Sequence, residues 1–352
     1  MKLELWNSVA SSLEHISAVA IAAEEAGWAG ISVTDSQNLS VDCFAVLQLA
    51  AGATSRLGLA TGVNSPAIRH PAVTAGAIAT LQRLSGGRAV VGIGRGDSAL
   101  AHIGRAPLRV APFERYIKAV QDYLSGRSVA FDDLDFDERL AGAIDSIELG
   151  DRPTESRLTW LRDDDVKVPV DVASTGPRVI AAAAKHADRV MFALGADPER
   201  IAWGIEQAKN ARREAGLAPE GVKFGAYINL ACHPDPDTAR ALVGSSIATY
   251  ARFSVMHGAA AAPLAESEAS AIAHLNRSFD MRGHHNAGVV PPEFVDRFAV
   301  LGSPDQCIER LAAIAALGVS KVVIVGARDN ENPEAQRAEE ALCQHVLPVF
   351  SG

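Results

Sequence analysis

The chain switches repeatedly between two hydrophobic periods, and this alternation is what most restricts its fold. Eight short apolar runs read as strands: Lys2–Leu5, Gly30–Thr34, Leu57–Gly62, Arg88–Ile93, Lys167–Ala173, Arg189–Leu194, Lys223–Ala231 and Lys321–Val325. Between them lie segments with helical spacing: Leu13–Ala26, Phe44–Thr54, Pro71–Leu84, Pro112–Leu124, Arg178–Ala187, Pro198–Ala215 and Pro304–Leu317, with Pro333–Phe350 closing the chain. Gly27 and Gly318 stand where helix C-caps belong. The same local grammar recurs in AIAAEEAGWAGISV and LAAIAALGVSKVVI.

Regular strand–helix alternation forces parallel strands. Eight of them close into a (β/α)8 TIM barrel, which takes roughly 250 residues. A chain of 352 residues therefore leaves a surplus. It fits two excursions in a single domain spanning 1–352, at about 125–167 and 233–300. The first is acidic, with Asp132, Asp133, Asp135, Asp137 and Glu138 close together. A doubly wound sheet would show a glycine-rich dinucleotide turn after its first strand, and WNSVASS is not one.

Composition narrows the partners. The 33 Lys+Arg against 42 Asp+Glu give a net charge of -9, which argues against nucleic acid and anionic membrane surfaces. No run of about 18 apolar residues occurs, so no membrane span is expected. Cys43, Cys232, Cys307 and Cys343 form no CxxC pair, which excludes a zinc ribbon or thioredoxin motif and reads as a reduced, cytoplasmic protein.

Barrel enzymes carry their chemistry at the C-terminal strand ends. Here Lys2, Lys167, Lys223 and Lys321 stand at strand starts, the wrong end for a Schiff base. His233 is the lone strand-end histidine, and His284-His285 lies within an excursion, so no metal cluster is expected. Asp35 and Asp97 follow strands two and four, but no aromatic platform for a sugar accompanies them. Strand eight ends in Gly326-Ala327-Arg328-Asp329.

What remains is rich in glycine and hydroxyl groups. Ser174-Thr175-Gly176 precedes a helix opening at Pro177, and Gly195-Ala196-Asp197 precedes another at Pro198. Backbone N–H groups at such helix starts favour a phosphate, and neighbouring anion sites after late strands recur in barrels. Strand ends and helix caps alone would also account for these turns. GIGRGDSA contains GxG but not GxGxxG, so it is no dinucleotide fingerprint, and Asp97 there is either a helix cap or a functional acid.

The run TGVNSPAIRHPAVTAGAIATLQRLSGGRAVVGIGRGDSAL, Thr61 to Leu100, resembles the luciferase-like flavin and deazaflavin oxidoreductases. Within them it is similar to the methylene-tetrahydromethanopterin reductase branch in TGV, Asn, RHPAVTA, LSGGR and GIGxGD. AEEAGWAGISVTDS, ASTGPRVIAAAAKHADRV and FVDRFAVLGSPDQCIERL agree more weakly, and the excursions hardly at all.

The resemblance implies a commonly dimeric barrel with coenzyme F420, a deazaflavin, in its mouth. It implies a cis non-proline peptide behind the ring, at Gly62–Val63 or Val63–Asn64. It implies a phosphate site at Ala173, Ser174, Thr175, Gly176 and Pro177, with Ala193, Leu194 and Gly195 on the next strand, and acids at Asp97 and Asp35. Two departures stand out. Ser36-Gln37-Asn38 replaces a histidine found in sugar and alcohol dehydrogenases, and Trp6 (or Glu4) stands where the archaeal reductase has a glutamate. These argue against base-catalysed alcohol oxidation and against methanopterin as substrate.

The expectation is thus hydride transfer between a reduced deazaflavin and a small organic acceptor, with the protein supplying binding and orientation. Asn64 is a candidate hydrogen-bond partner for ring or substrate, and Asp97, then Asp35, a candidate proton donor. The alternatives are an FMN-dependent monooxygenase, a non-catalytic F420-binding protein, and a redox-free barrel acting on a phosphorylated substrate. Arg69-His70 reads as structural, and Arg105 and Arg109 as solvated surface groups. A homodimer would use the second and third helices.

Overall fold

The computed structural model describes residues 3–10, 13–137, 139–147, 149–253, 263, 266–279, 290–326 and 331–351. Lys2, Glu138, His284, His285 and the Ala327–Asp329 turn lie outside the described residues.

Eight parallel strands form the barrel: β1 Glu4–Val9, β2 Gly30–Val33, β3 Gly58–Thr61, β4 Ala89–Ile93, β5 Val170–Ser174, β6 Arg189–Phe192, β7 Lys223–Cys232 and β8 Val319–Val325. Each pairs with its sequence neighbour. β8 returns to β1 with Val323 opposite Trp6, and β6 pairs with β7 from Arg189 opposite Lys223, so the sheet is closed. The TIM barrel expected from alternation is the fold.

The first strand departs from expectation by running four residues beyond Leu5, to Val9. Asn7 and Ser8 pair with Ile31 and Ser32 of β2, so their backbone is satisfied by the ladder although their side chains are polar. Polarity near a barrel mouth hides the end of a strand from periodicity.

Buried on both faces, the strands separate two apolar layers. The outer layer sets Leu5, Ile31, Leu59, Val91, Val172 and Ile324 against the surrounding helices. The inner layer fills the lumen with Trp6, Ala60, Val90, Met191, Ala193, Tyr227 and Val323. Gly30 and Gly58 are required here, because a Cβ on either would fall about 2.5 Å or closer to the Trp6 indole. Below, Lys321 Nζ stands 3.5 Å from the Trp6 ring centre and 2.8 Å from Asp171, which also pairs with Arg189. Asp171 thus serves two buried cations at once. They form the floor of the barrel.

The helices start on local signals. Asp42 accepts from Phe44 N and Ala45 N to open Cys43–Ala53. His70 Nδ1 accepts from Ala72 N to open Pro71–Leu84. Ser303 and Gln306 form a capping box for Pro304–Ala316. No helix among the described residues is long and apolar enough to cross a membrane.

The excursions settle differently. The first carries a two-stranded antiparallel pair, Val129–Ala130 with Glu155–Ser156, and lies along the outside of the helix Val110–Leu124. Asp135 holds Arg115 at 2.6 Å and Asp133 holds Lys118 at 3.3 Å. The second forms helices Pro236–Phe253, Glu266–Ser278 and Pro292–Phe298 and a short strand, Val300–Gly302, paired with β7. Its helices share an apolar cluster with Val243, Ile247, Ile272, Leu275 and Phe294 at its centre.

Candidate functional site

The lumen narrows to small side chains above the Trp6–Tyr227 layer. Ser32 and Ala193 are buried there, and Val63 and Ala173 pack on the inner cluster. Immediately beyond β3 the Gly62–Val63 peptide is cis, the first of the two positions the resemblance allowed.

Asn64 is fully buried, and its carboxamide is committed within the protein. Nδ2 donates to Asp35 Oδ2 at 2.8 Å, and Oδ1 accepts from Thr74 Oγ1 at 3.2 Å and Tyr116 OH at 3.4 Å. Burial pushes the Tyr116 phenol up, against the opposing hydrogen bond from Thr74, so it stays a neutral donor. Arg69 spans Asp35 and Asp42 at 2.6 Å each, with its guanidinium 5.1 Å from the Phe44 ring centre. Asp35 and Asn64 therefore tie the β2 and β3 loops together behind the mouth. His70 caps a helix, so the Arg69-His70 pair is structural, as read from sequence.

Of the two helix starts, one is open and one is closed. At Gly176 no side chain caps the helix Pro177–His186, and a Cβ added there would meet nothing within 4 Å. Ser174 ends β5 buried, and Thr175 is half-buried beside it. Arg178 lies in the first turn. Arg95, from the GIGRGD turn, has its pKa lowered by burial and by the charge of Arg178. Arg95 also donates from Nε to Leu108 O, and Arg178 stands in the first turn of a helix whose positive end favours an anion.

The second start is occupied by protein. Asp197 accepts from Glu199 N and Arg200 N and also pairs with Arg297 at 2.8 Å. Leu194 O accepts from Arg200 Nε at 2.9 Å, and Ala196 N donates to Phe298 O at 2.7 Å. The Phe298 ring lies so close to Gly195 that a Cβ there would fall 2.5 Å from it. At this second start Phe298 of the second excursion therefore stands beside Gly195.

Asp97 enters the mouth as an ion-pair partner of Arg252 from the helix Pro236–Phe253. The Arg252 guanidinium stands 4.4 Å from the Phe279 ring centre and 5.7 Å from that of Phe253. Tyr250 and Phe253 rest on the lumen cluster, with Tyr250 6.2 Å from Tyr227. Burial first, then the neighbouring Tyr250, raises the Tyr227 phenol well above the usual tyrosine range. Sequence reasoning missed Tyr250, Arg252 and Phe253, which sit in an excursion without motif. Glu4, which accepts from Trp6 Nε1 at 3.2 Å, belongs to the floor, so β1 brings no carboxylate to the mouth. No cluster of three or more metal-ligating side chains occurs among the described residues.

Residues 2–321 match the luciferase-like monooxygenase family. The chain belongs to that family. Among its family relatives it is 27% identical to a 5,10-methylenetetrahydromethanopterin reductase of Archaeoglobus fulgidus, over 93% of this chain and 92% of that protein. It is likewise 27% identical to an F420-dependent glucose-6-phosphate dehydrogenase of Beutenbergia cavernae, over 94% and 91%. The solved coenzyme F420-dependent tetrahydromethanopterin reductase of Methanopyrus kandleri shares the fold with a TM-score of 0.74 at 21% identity, covering 99% of this chain and 100% of that one.

Proposed function

We propose that this member of the family is an oxidoreductase that holds coenzyme F420 in its barrel mouth and exchanges a hydride with a small organic molecule there. Its F420-dependent relatives support the reading. The observation that carries it is the uncapped helix start at Gly176-Pro177, with Arg178 in its first turn, at the barrel end where Val63, Ala173 and Ala193 meet the inner cluster. Such a mouth fits a flat ring with an anionic tail.

In this reading Ser174, Thr175, Gly176 and Pro177 hold the phosphate and Gly62, Val63, Ala173 and Ala193 line the ring, while Leu194 and Gly195, covered by Arg200 and Phe298, back them without meeting it. Asn64 and Asp35 act as positioning residues, fixing the loops from behind. Asp97 holds Arg252 at the mouth and is the carboxylate nearest the acceptor. When bound, a reduced deazaflavin supplies a hydride, and Tyr250 and Phe253 keep water from it. A homodimer through helices Cys43–Ala53 and Pro71–Leu84, where Leu49 and Val73 are exposed, belongs to the same proposal.

Calorimetric titration with F420 and with FMN tests it. Tighter binding of F420 is expected, weakened about tenfold in the double variant Arg95→Ala/Arg178→Ala. Binding of FMN alone would turn the assignment to a flavin enzyme, and binding of neither would overturn it. Asp97→Asn, which breaks the ion pair with Arg252, is expected to lower turnover about tenfold if the pair orders the mouth. Unchanged turnover removes it from that role.

A further inference from the structure

Arg252 is charged, nine-tenths buried and incompletely used. One terminal nitrogen meets Asp97, and the guanidinium lies against Phe279 and Phe253, but its Nε has no hydrogen-bond partner among the described residues. An unmet buried donor on a charged group carries a large desolvation penalty. Ser65 Oγ is a second unmatched buried polar atom, packed against Gly96 in the turn that carries Asp97. Orphaned polar atoms thus meet this turn from two sides, and that of Arg252 lies among the aromatic rings.

The charges limit what belongs there. Among the described residues Arg252 and Asp97 pair with one another, so an additional carboxylate would be buried beside Asp97 with Arg252 already engaged. A cation would meet Arg252 itself. A neutral acceptor oxygen instead satisfies the Nε donor and leaves the ion pair intact. The surrounding rings of Phe253, Phe279 and Tyr250 suit a flat apolar body.

We infer that Arg252 is the specificity-determining residue of the mouth and that it selects a neutral carbonyl compound with a planar, apolar body. This rests on the mouth being the acceptor site, as proposed above.

Three isosteric probes test it by calorimetry, with and without F420: 2-acetylnaphthalene, 2-isopropenylnaphthalene and 2-naphthoate. The ketone is expected to bind about tenfold or more tightly than the hydrocarbon, and more tightly than the carboxylate. Arg252→Lys keeps a cation for Asp97 but removes Nε, and should erase the preference for the ketone. Equal binding of ketone and hydrocarbon, tightest binding of the carboxylate, binding of none of the three, or a preference surviving in Arg252→Lys would each overturn the inference. The wild-type comparison holds whether or not the variant folds. F420 binding without a ketone preference sinks this inference alone, whereas a ketone preference without F420 binding sinks the cofactor reading alone.

Discussion

The two excursions leave the same barrel and meet it in opposite ways. The second buries an apolar cluster of its own and sends Tyr250, Arg252, Phe253 and Phe298 to the mouth. The first is fastened to the outside by ion pairs such as Arg115–Asp135 and Lys118–Asp133, whose side chains are about half exposed. Clefts of about 640 and 390 Å³ run beneath it, one along Gly86-Gly87 and Lys167, the other along Pro66–Pro71 and Phe136. Close packing fixes the geometry of a segment, whereas this one leaves solvent-open clefts against the scaffold. A site needs the former. The alanine-rich excursion thus shapes the mouth, while the acidic one lies along the scaffold.

Phe298→Ala should break the second excursion most severely. The side chain is 2% exposed, stacks on Phe294 at 4.9 Å and covers Gly195. Deleting such a ring costs about 3–5 kcal/mol, measurable as a lower midpoint in urea unfolding. The same change uncovers the Gly195 backbone. If the midpoint does not move, the claim that this excursion is a packed part of the barrel is wrong.

The closed eight-strand barrel was legible because its buried parallel strands repeat one apolar pattern, as in Gly30–Val33 and Ala89–Ile93. The open helix start at Gly176-Pro177 was legible because proline and glycine mark it in sequence. Arg252 was not. Its meaning depends on a contact across 155 residues to Asp97, and no local period reports such a contact. The fate of Gly195 was hidden for the same reason, since Phe298 reaches it from another part of the chain. Both excursions looked equally able to shape the cavity in sequence, and only the distribution of apolar side chains in three dimensions separates them.

A weaker test concerns the seam between the first excursion and the mouth loops. His70 meets Phe136 edge-on at 6.4 Å while its Nδ1 accepts from Ala72 N. Burial lowers the His70 pKa from its ordinary value of 6.5. Between its folded value and 6.5 the unfolded chain therefore binds more protons than the folded one, so the unfolding free energy falls as pH drops below 6.5. Protonation would also remove the acceptor that caps the helix. In a pH series of urea unfolding, His70→Gln should flatten that part of the slope. An unchanged slope would show that other groups cause it.

The smallest effect is expected from Arg115→Ala. Arg115 bonds Asp135 through two nitrogens, at 2.6 and 3.1 Å, yet the two side chains are 47% and 53% exposed. Water screens such a pair, and ordering two long side chains offsets much of its attraction, so at most about 1 kcal/mol should be lost. The loss should shrink as salt rises, because the Debye length falls to about 3 Å at 1 M. Binding of 2-acetylnaphthalene should be unaffected, since among the described residues the Arg252 guanidinium meets Asp97, Phe253 and Phe279, none of them in this excursion. A large change in ketone affinity on removing Arg115 would mean that the first excursion is coupled to the mouth after all, and the division of labour between the two would have to be abandoned.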